Sequence, residues 1–207
     1  MTGLLIKDIL NLRKYAMTML IFIVFYSALS FTMDDPGFIS GAIVLFFTMI
    51  SITSFSYDNL AKWDNYALSL PITRKEMVLS KYILAMLLAI GGTLFSIVAG
   101  GLIVFIKDIT SFKEQLVISY CLFVIATLFI SALLPLIYKY GVEKARIMIV
   151  VVIGLPSILL FALSKIGVLM PTDEQFMLLL KLSPIFLVIV LFVSYFISLE
   201  IYKKKEL

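Results

Sequence analysis

Six apolar blocks, separated by short polar gaps, run along the chain at 15–33, 37–57, 82–106, 116–138, 147–164 and 182–202. A bilayer span needs roughly 20 mostly apolar residues. The pattern therefore predicts an all-α polytopic membrane protein with six transmembrane helices. The fifth block is the shortest and carries Gly154 and Pro156, so a re-entrant hairpin is its alternative reading. Pro135, Pro156 and Pro184 predict bends in their helices. Ahead of the first block, Leu5, Ile9, Leu12 and Ala16 recur on one helical face and Lys7, Asn11 and Lys14 on the opposite one. That spacing predicts an amphipathic helix over 1–14, lying in the membrane interface.

Composition agrees with the pattern. Apolar residues make up 62% of the chain and charged residues 14%, against about 25% charged in a soluble domain. The charges are unevenly placed. Thirteen of the seventeen Lys and Arg fall before the first block, in the second and fourth gaps, and after the last block. Lys- and Arg-rich short loops stay cytoplasmic, so both termini are expected inside, at a plasma membrane. The net charge of +4 follows from this topology and from attraction to anionic headgroups, and implies no nucleic-acid partner. The first block exceeds the 7–15 apolar residues of a signal peptide and is expected to be retained.

The chemical inventory is narrow. There is no histidine, and Cys121 is the only cysteine. Neither a disulfide within the chain nor a histidine-based metal or catalytic site is available. No phosphate-cradling Gly-rich loop ending in Lys-Ser or Lys-Thr occurs. No catalytic residue, metal ligand or cofactor is therefore expected in this chain. The span centres carry no charge, which argues against ion-gradient-driven transport and places any energy source in another protein. The hydroxyls Ser51, Thr53, Ser54, Ser56, Thr93 and Ser96 admit two readings: they line a wet path, or they bond back to carbonyls of their own helices. Ala85, Ala89, Gly92, Ser96 and Gly100 form a small-residue stripe suited to close helix packing. Phe22, Phe25, Phe46, Phe47, Ser51 and Phe55 are candidates to line a translocation path, with plain packing or lipid contact as the alternative.

One gap, 58–81, is long and patterned. Leu60, Trp63, Ala67 and Leu70 follow helical spacing and predict a short amphipathic helix over 59–70, with Asp58, Lys62, Asp64 and Asn65 on its other sides. Pro71 ends it. Thr73 and Glu76 form a capping box that starts a new helix, with Ile72 and Met77 as its staple. No breaker follows before Gly91, so that helix is expected to run on into the third span. A surface helix, a fixed corner and a stiff stalk are more than a simple connection requires.

The run Trp63-Asp64-Asn65-Tyr66-Ala67-Leu68-Ser69-Leu70-Pro71-Ile72-Thr73-Arg74-Lys75-Glu76-Met77-Val78-Leu79-Ser80-Lys81-Tyr82 resembles the second cytoplasmic segment of ABC-2-type permeases. The stretch Pro135-Leu136-Ile137-Tyr138-Lys139-Tyr140-Gly141 is a second local match, and the six-span plan extends the likeness over essentially the whole length. The small size is similar to that of permeases exporting amphipathic peptides, such as phenol-soluble modulin exporters and bacteriocin-immunity transporters. The resemblance implies a homodimeric permease driven by two copies of a separate ATPase, which would hold the ATP and Mg. It implies a coupling helix between the second and third spans. Leu60, Trp63, Asp64, Asn65, Tyr66, Leu70, Pro71, Thr73, Arg74, Lys75 and Glu76 would then form the ATPase-docking segment. Arg74 and Lys75 suit either an acidic rim on the ATPase or lipid phosphates.

Two other classes compete. An intramembrane protease or lipid transferase would need His, Glu or Arg clusters within the spans, which this chain lacks. A non-transport membrane protein, a scaffold or an immunity protein binding a toxin, would need no ATPase.

Overall fold

The computed structural model describes residues 2–33, 35–67, 69–109, 111–165 and 172–205. Its elements are α1 (Thr2–Leu12), a 3-10 turn (Arg13–Tyr15), α2 (Ala16–Met33), α3 (Pro36–Leu60), α4 (Trp63–Ala67), α5 (Arg74–Lys107), α6 (Phe112–Tyr140), α7 (Val142–Lys165) and α8 (Asp173–Lys204). No strand occurs among the described residues. Five helical stretches in that set are long and apolar enough to cross a membrane: Thr2–Ser30, Pro36–Leu60, Arg74–Lys107, Phe112–Tyr140 and Glu174–Lys204. The block 147–164 lies within α7, which stays helical through Gly154 and Pro156 but is not among those five. Helices α6 and α8 likewise continue through Pro135 and Pro184.

The chain forms two compact units, the first reaching to Thr127 and the second covering Leu128–Lys205. In the first, α3 packs along α5. Ile39, Ile43, Phe47 and Ile103 form one buried cluster, backed by Met19, Ile23, Tyr26, Leu88 and Ala99. Leu12, Ile50 and Leu84 form another, with Leu5 and Tyr15 against it. The small-residue stripe of α5 makes this packing possible, since Ala85, Ala89, Gly92, Ser96 and Gly100 are all buried. A Cβ on Gly92 would lie 2.8 Å from the Cβ of Phe47 and 3.4 Å from the Cα of Val44, so the α3 backbone can approach only a glycine here. Without a hydrophobic drive between helices in lipid, such close approach is a main source of association.

A second close approach carries polar groups. Gln115, at the start of α6, is fully buried, and its Nε2 donates to Ser40 Oγ at 2.8 Å and to Ser119 Oγ at 3.3 Å. Ser96 and Ser119 hydroxyls meet at 3.1 Å. A Cβ on Gly100 would sit 2.0 Å from Gln115 Nε2. The glycine thus makes room for an amide that ties α3, α5 and α6 together.

In the second unit, Ser194 of α8 donates to the Ser131 carbonyl at 2.6 Å, and the Tyr138 and Tyr202 rings meet edge-on with centroids 5.4 Å apart. Gly141, at φ +80°, closes α6 by donating to the Ile137 carbonyl at 2.9 Å. A left-handed residue in this position is a common helix terminator, and glycine adopts it without a Cβ penalty.

Helix α1 differs from its expected form. Leu4, Asp8 and Leu12 are its buried positions, while Ile6, Ile9 and Leu10 are more than half exposed. The face that packs inward therefore carries a charge at its centre, and the outward face is apolar. Leu5 and Leu12 pack on the bundle as an apolar face should, but Ile9 points away from it, and Lys7 turns toward the protein.

Candidate coupling segment and its charged joint

Helix α3 runs past the end of its apolar block to Leu60 and is closed at Ala61, whose N–H donates to the Tyr57 carbonyl at 2.9 Å. Lys62 then takes φ +48°, a left-handed conformation that breaks the helical register. Helix α4 restarts at Trp63 and lasts five residues. The expected single helix over 59–70 is thus two pieces, and Leu60, Trp63, Ala67 and Leu70 do not share one face. Ala67 is fully buried, Trp63 and Leu70 are half-buried, and Leu60 is 80% exposed. Tyr66 is 59% exposed, and Asn65, Pro71 and Lys75 are exposed as well. Asp64, Arg74 and Glu76 are half-buried.

Beyond α4, the N–H groups of Ser69 and Leu70 donate to the carbonyls of Tyr66 and Ala67 at 3.0 and 3.1 Å. The capping box is present: Thr73 Oγ1 accepts from the Glu76 N–H at 3.3 Å, and the Glu76 carboxylate accepts from the Thr73 N–H at 2.9 Å. Helix α5 then continues unbroken for 34 residues, through Gly91 and Gly92. At 1.5 Å per residue it is about 51 Å long, more than the ~30 Å thickness of a hydrocarbon core.

Beside this segment lies a cluster absent from the sequence expectations, which set Asp58 on the outer side of a surface helix and Lys7 on the water face of α1. Asp8 is 1% exposed, Lys81 7% and Asp58 9%. Lys81 Nζ lies 2.5 Å from Asp58 Oδ2, 3.0 Å from each Asp8 oxygen and 2.6 Å from Ser54 Oγ. Lys7 Nζ lies 2.6 Å from Asp58 and 3.2 Å from Asp8. Two cations and two anions alternate, so the group is formally neutral, as burial demands. Lys7 Nζ also sits 4.1 Å from the centroid of the Trp63 ring, a cation–π contact that reaches α4. Nearby, Lys14 Nζ lies 3.7 Å over the Tyr57 ring, and the Tyr57 and Tyr15 hydroxyls are 2.5 Å apart. A signal for the cluster was in the sequence: Leu4, Asp8 and Leu12 at i, i+4, i+8 put a carboxylate in the middle of an apolar stripe.

The path candidates separate. Phe22 and Phe46 stack at 4.3 Å, Phe22 and Tyr26 at 5.8 Å, and Phe47 and Phe95 lie 5.5 Å apart. Phe47, Ser51 and Phe55 are buried within the first unit, and Phe25 is exposed. Ser51 Oγ donates to the Thr48 carbonyl at 2.6 Å and Thr93 Oγ1 to the Ala89 carbonyl at 2.8 Å, which is helix back-bonding. Ser54 and Ser96 instead bond between helices.

A family model described as an ABC-2 family transporter protein matches residues 3–203. The chain belongs to the ABC-2 transporter family. No curated protein and no solved structure matches it. An ABC-2 permease is a membrane transport component that works with a partner ATPase subunit and is not itself catalytic. The multiple apolar helices of this chain fit a multi-pass membrane permease.

Proposed function

We propose that this ABC-2 permease is the membrane half of an ATP-driven exporter. Six helices span the bilayer, α7 among them, with both termini in the cytoplasm. Two copies form the translocation path, and two copies of a separate ATPase, which holds the ATP and Mg, dock on segment 58–81. The cargo class is amphipathic peptide, antimicrobial peptides included. Helix α4 serves as the coupling helix, with its exposed Tyr66 and the exposed Leu60 at the end of α3 as the main anchors and Arg74 and Lys75 at the rim. Closure of the ATPase pair displaces α4, and α5 carries the displacement to the membrane path, near Phe22, Phe25 and Phe46.

The observation that carries this reading is the stalk: α5 starts at a closed capping box next to α4 and runs 34 residues without a break. A continuous helix transmits displacement along its length, whereas a frayed or broken one would absorb it. The position of α1 in the membrane interface, with Ile6, Ile9 and Leu10 toward lipid, belongs to the same reading.

Purification of the tagged chain from its native membrane tests it. A nucleotide-binding subunit is expected to co-purify in equal amount, with ATP hydrolysis in the complex. Recovery of the permease in folded form with no ATPase would overturn the proposal and favour a scaffold or immunity protein.

A further inference from the structure

The four-charge cluster is built differently from a topology anchor. Each ammonium touches both carboxylates, so α1 cannot slide along α3 or α5 without losing contacts on two partners at once. Asp8 and Lys81 are the most deeply buried pair in it, and they join α1 directly to α5. On the other side, Lys7 reaches Trp63 of α4. The chain connects α4 to α5 through the turn at 69–73. A second connection runs through space, from Trp63 to Lys7, along one peptide bond to Asp8, and on to Lys81.

We propose that Asp8 and Lys81 are positioning residues that lock α1 to α5, making α1 a moving part of the stalk and a second route from α4 into it. Greasy contacts alone do not fix register. Leu5 and Leu12 against Ile50 and Leu84 tolerate small slips, because apolar contact is non-directional. Paired charges in a low-dielectric site are directional, and a shift of either helix leaves buried charges without partners. The inference rests on the proposed ATPase docking only for what drives the motion, since the lock itself is a property of this chain.

Spin labels test the lock. Asn11 on α1 and Lys75 at the start of α5 are exposed and accept labels in a Cys121→Ala background. In nanodiscs the labelled chain is expected to give one narrow distance. Asp8→Asn combined with Lys81→Met removes one charge of each sign and leaves the Lys7–Asp58 pair intact. It is expected to keep the fold while at least doubling the width of the distance distribution. If the double variant does not fold, Asp8→Asn alone serves, with the same broadening expected. A distribution as narrow as in the unsubstituted chain would overturn the lock, because a cluster that only added stability would shift melting and not this distance. With the ATPase bound, ATP is expected to leave the wild-type distance unchanged, and a change would show that α1 does not travel with α5. If no ATPase associates with the unlabelled chain, the proposed function falls, but the comparison without nucleotide still decides the lock.

Discussion

Leu60→Ala combined with Tyr66→Ala is expected to strip the ATPase from the permease while leaving the permease itself in the membrane. Both side chains project outward, at 80% and 59% exposure, so neither holds the fold together. Anchors at the centre of an interface commonly contribute about 2 kcal/mol or more each when truncated. The loss of even one such contribution lowers affinity about thirtyfold. The measurement is co-purification of the nucleotide-binding subunit against permease recovered from the same membranes. Retention of the ATPase at the wild-type ratio would remove α4 from the docking surface. Trp63 is a poorer probe, despite its place in the family-like motif. It is half-buried and carries the Lys7 ammonium, so Trp63→Ala disturbs the joint and any docking together.

Lys81→Ala is expected to be the most damaging single change inside the permease. It leaves Asp8 and Asp58 side by side with Lys7 as their remaining counter-ion in the cluster. Removing one partner of a buried ion pair typically costs about 3–5 kcal/mol, a large part of the ~5–15 kcal/mol that holds a domain folded. Replacing both members by apolar groups of similar volume is often close to neutral. Lys81→Met with Asp8→Leu should therefore recover most of what Lys81→Ala loses. The readout is the thermal midpoint in detergent, together with the amount of permease in the membrane. If the single and double variants melt alike, near the wild-type midpoint, the cluster is not buried and paired as described. The ion pairs at Glu143–Arg146 and Glu200–Lys204 are exposed, and their removal should change little, because screened surface pairs contribute about 0–1 kcal/mol.

How much of this was legible in the sequence depended on whether the signal was local. The capping box needs only Thr73 and Glu76 at the right spacing, and the structure forms it. The small-residue stripe of α5 was readable for the same reason, and so was the lack of a breaker before Gly91, although the helix runs on through Gly91 and Gly92 as well. The helix expected over 59–70 failed at Lys62, where the backbone turns left-handed at φ +48° and no Gly or Pro marks a stop. Asp58 was placed on the outer sides of the expected short helix, away from its apolar face. Its partners, Lys7 and Lys81, are 51 and 23 positions away, and no periodicity within one helix connects them. Gln115 was missed for the same reason: its Nε2 donates to Ser40, which lies 75 residues earlier on another helix.

The central claim is that an external ATPase engages the permease at the exposed side of α4. A photoreactive residue at position 66, activated in native membranes, tests this most directly. The account predicts a covalent adduct between the permease and a nucleotide-binding subunit, lost when Leu60 is also replaced by Ala. Adducts confined to lipid, or to a protein that binds no ATP, would contradict it.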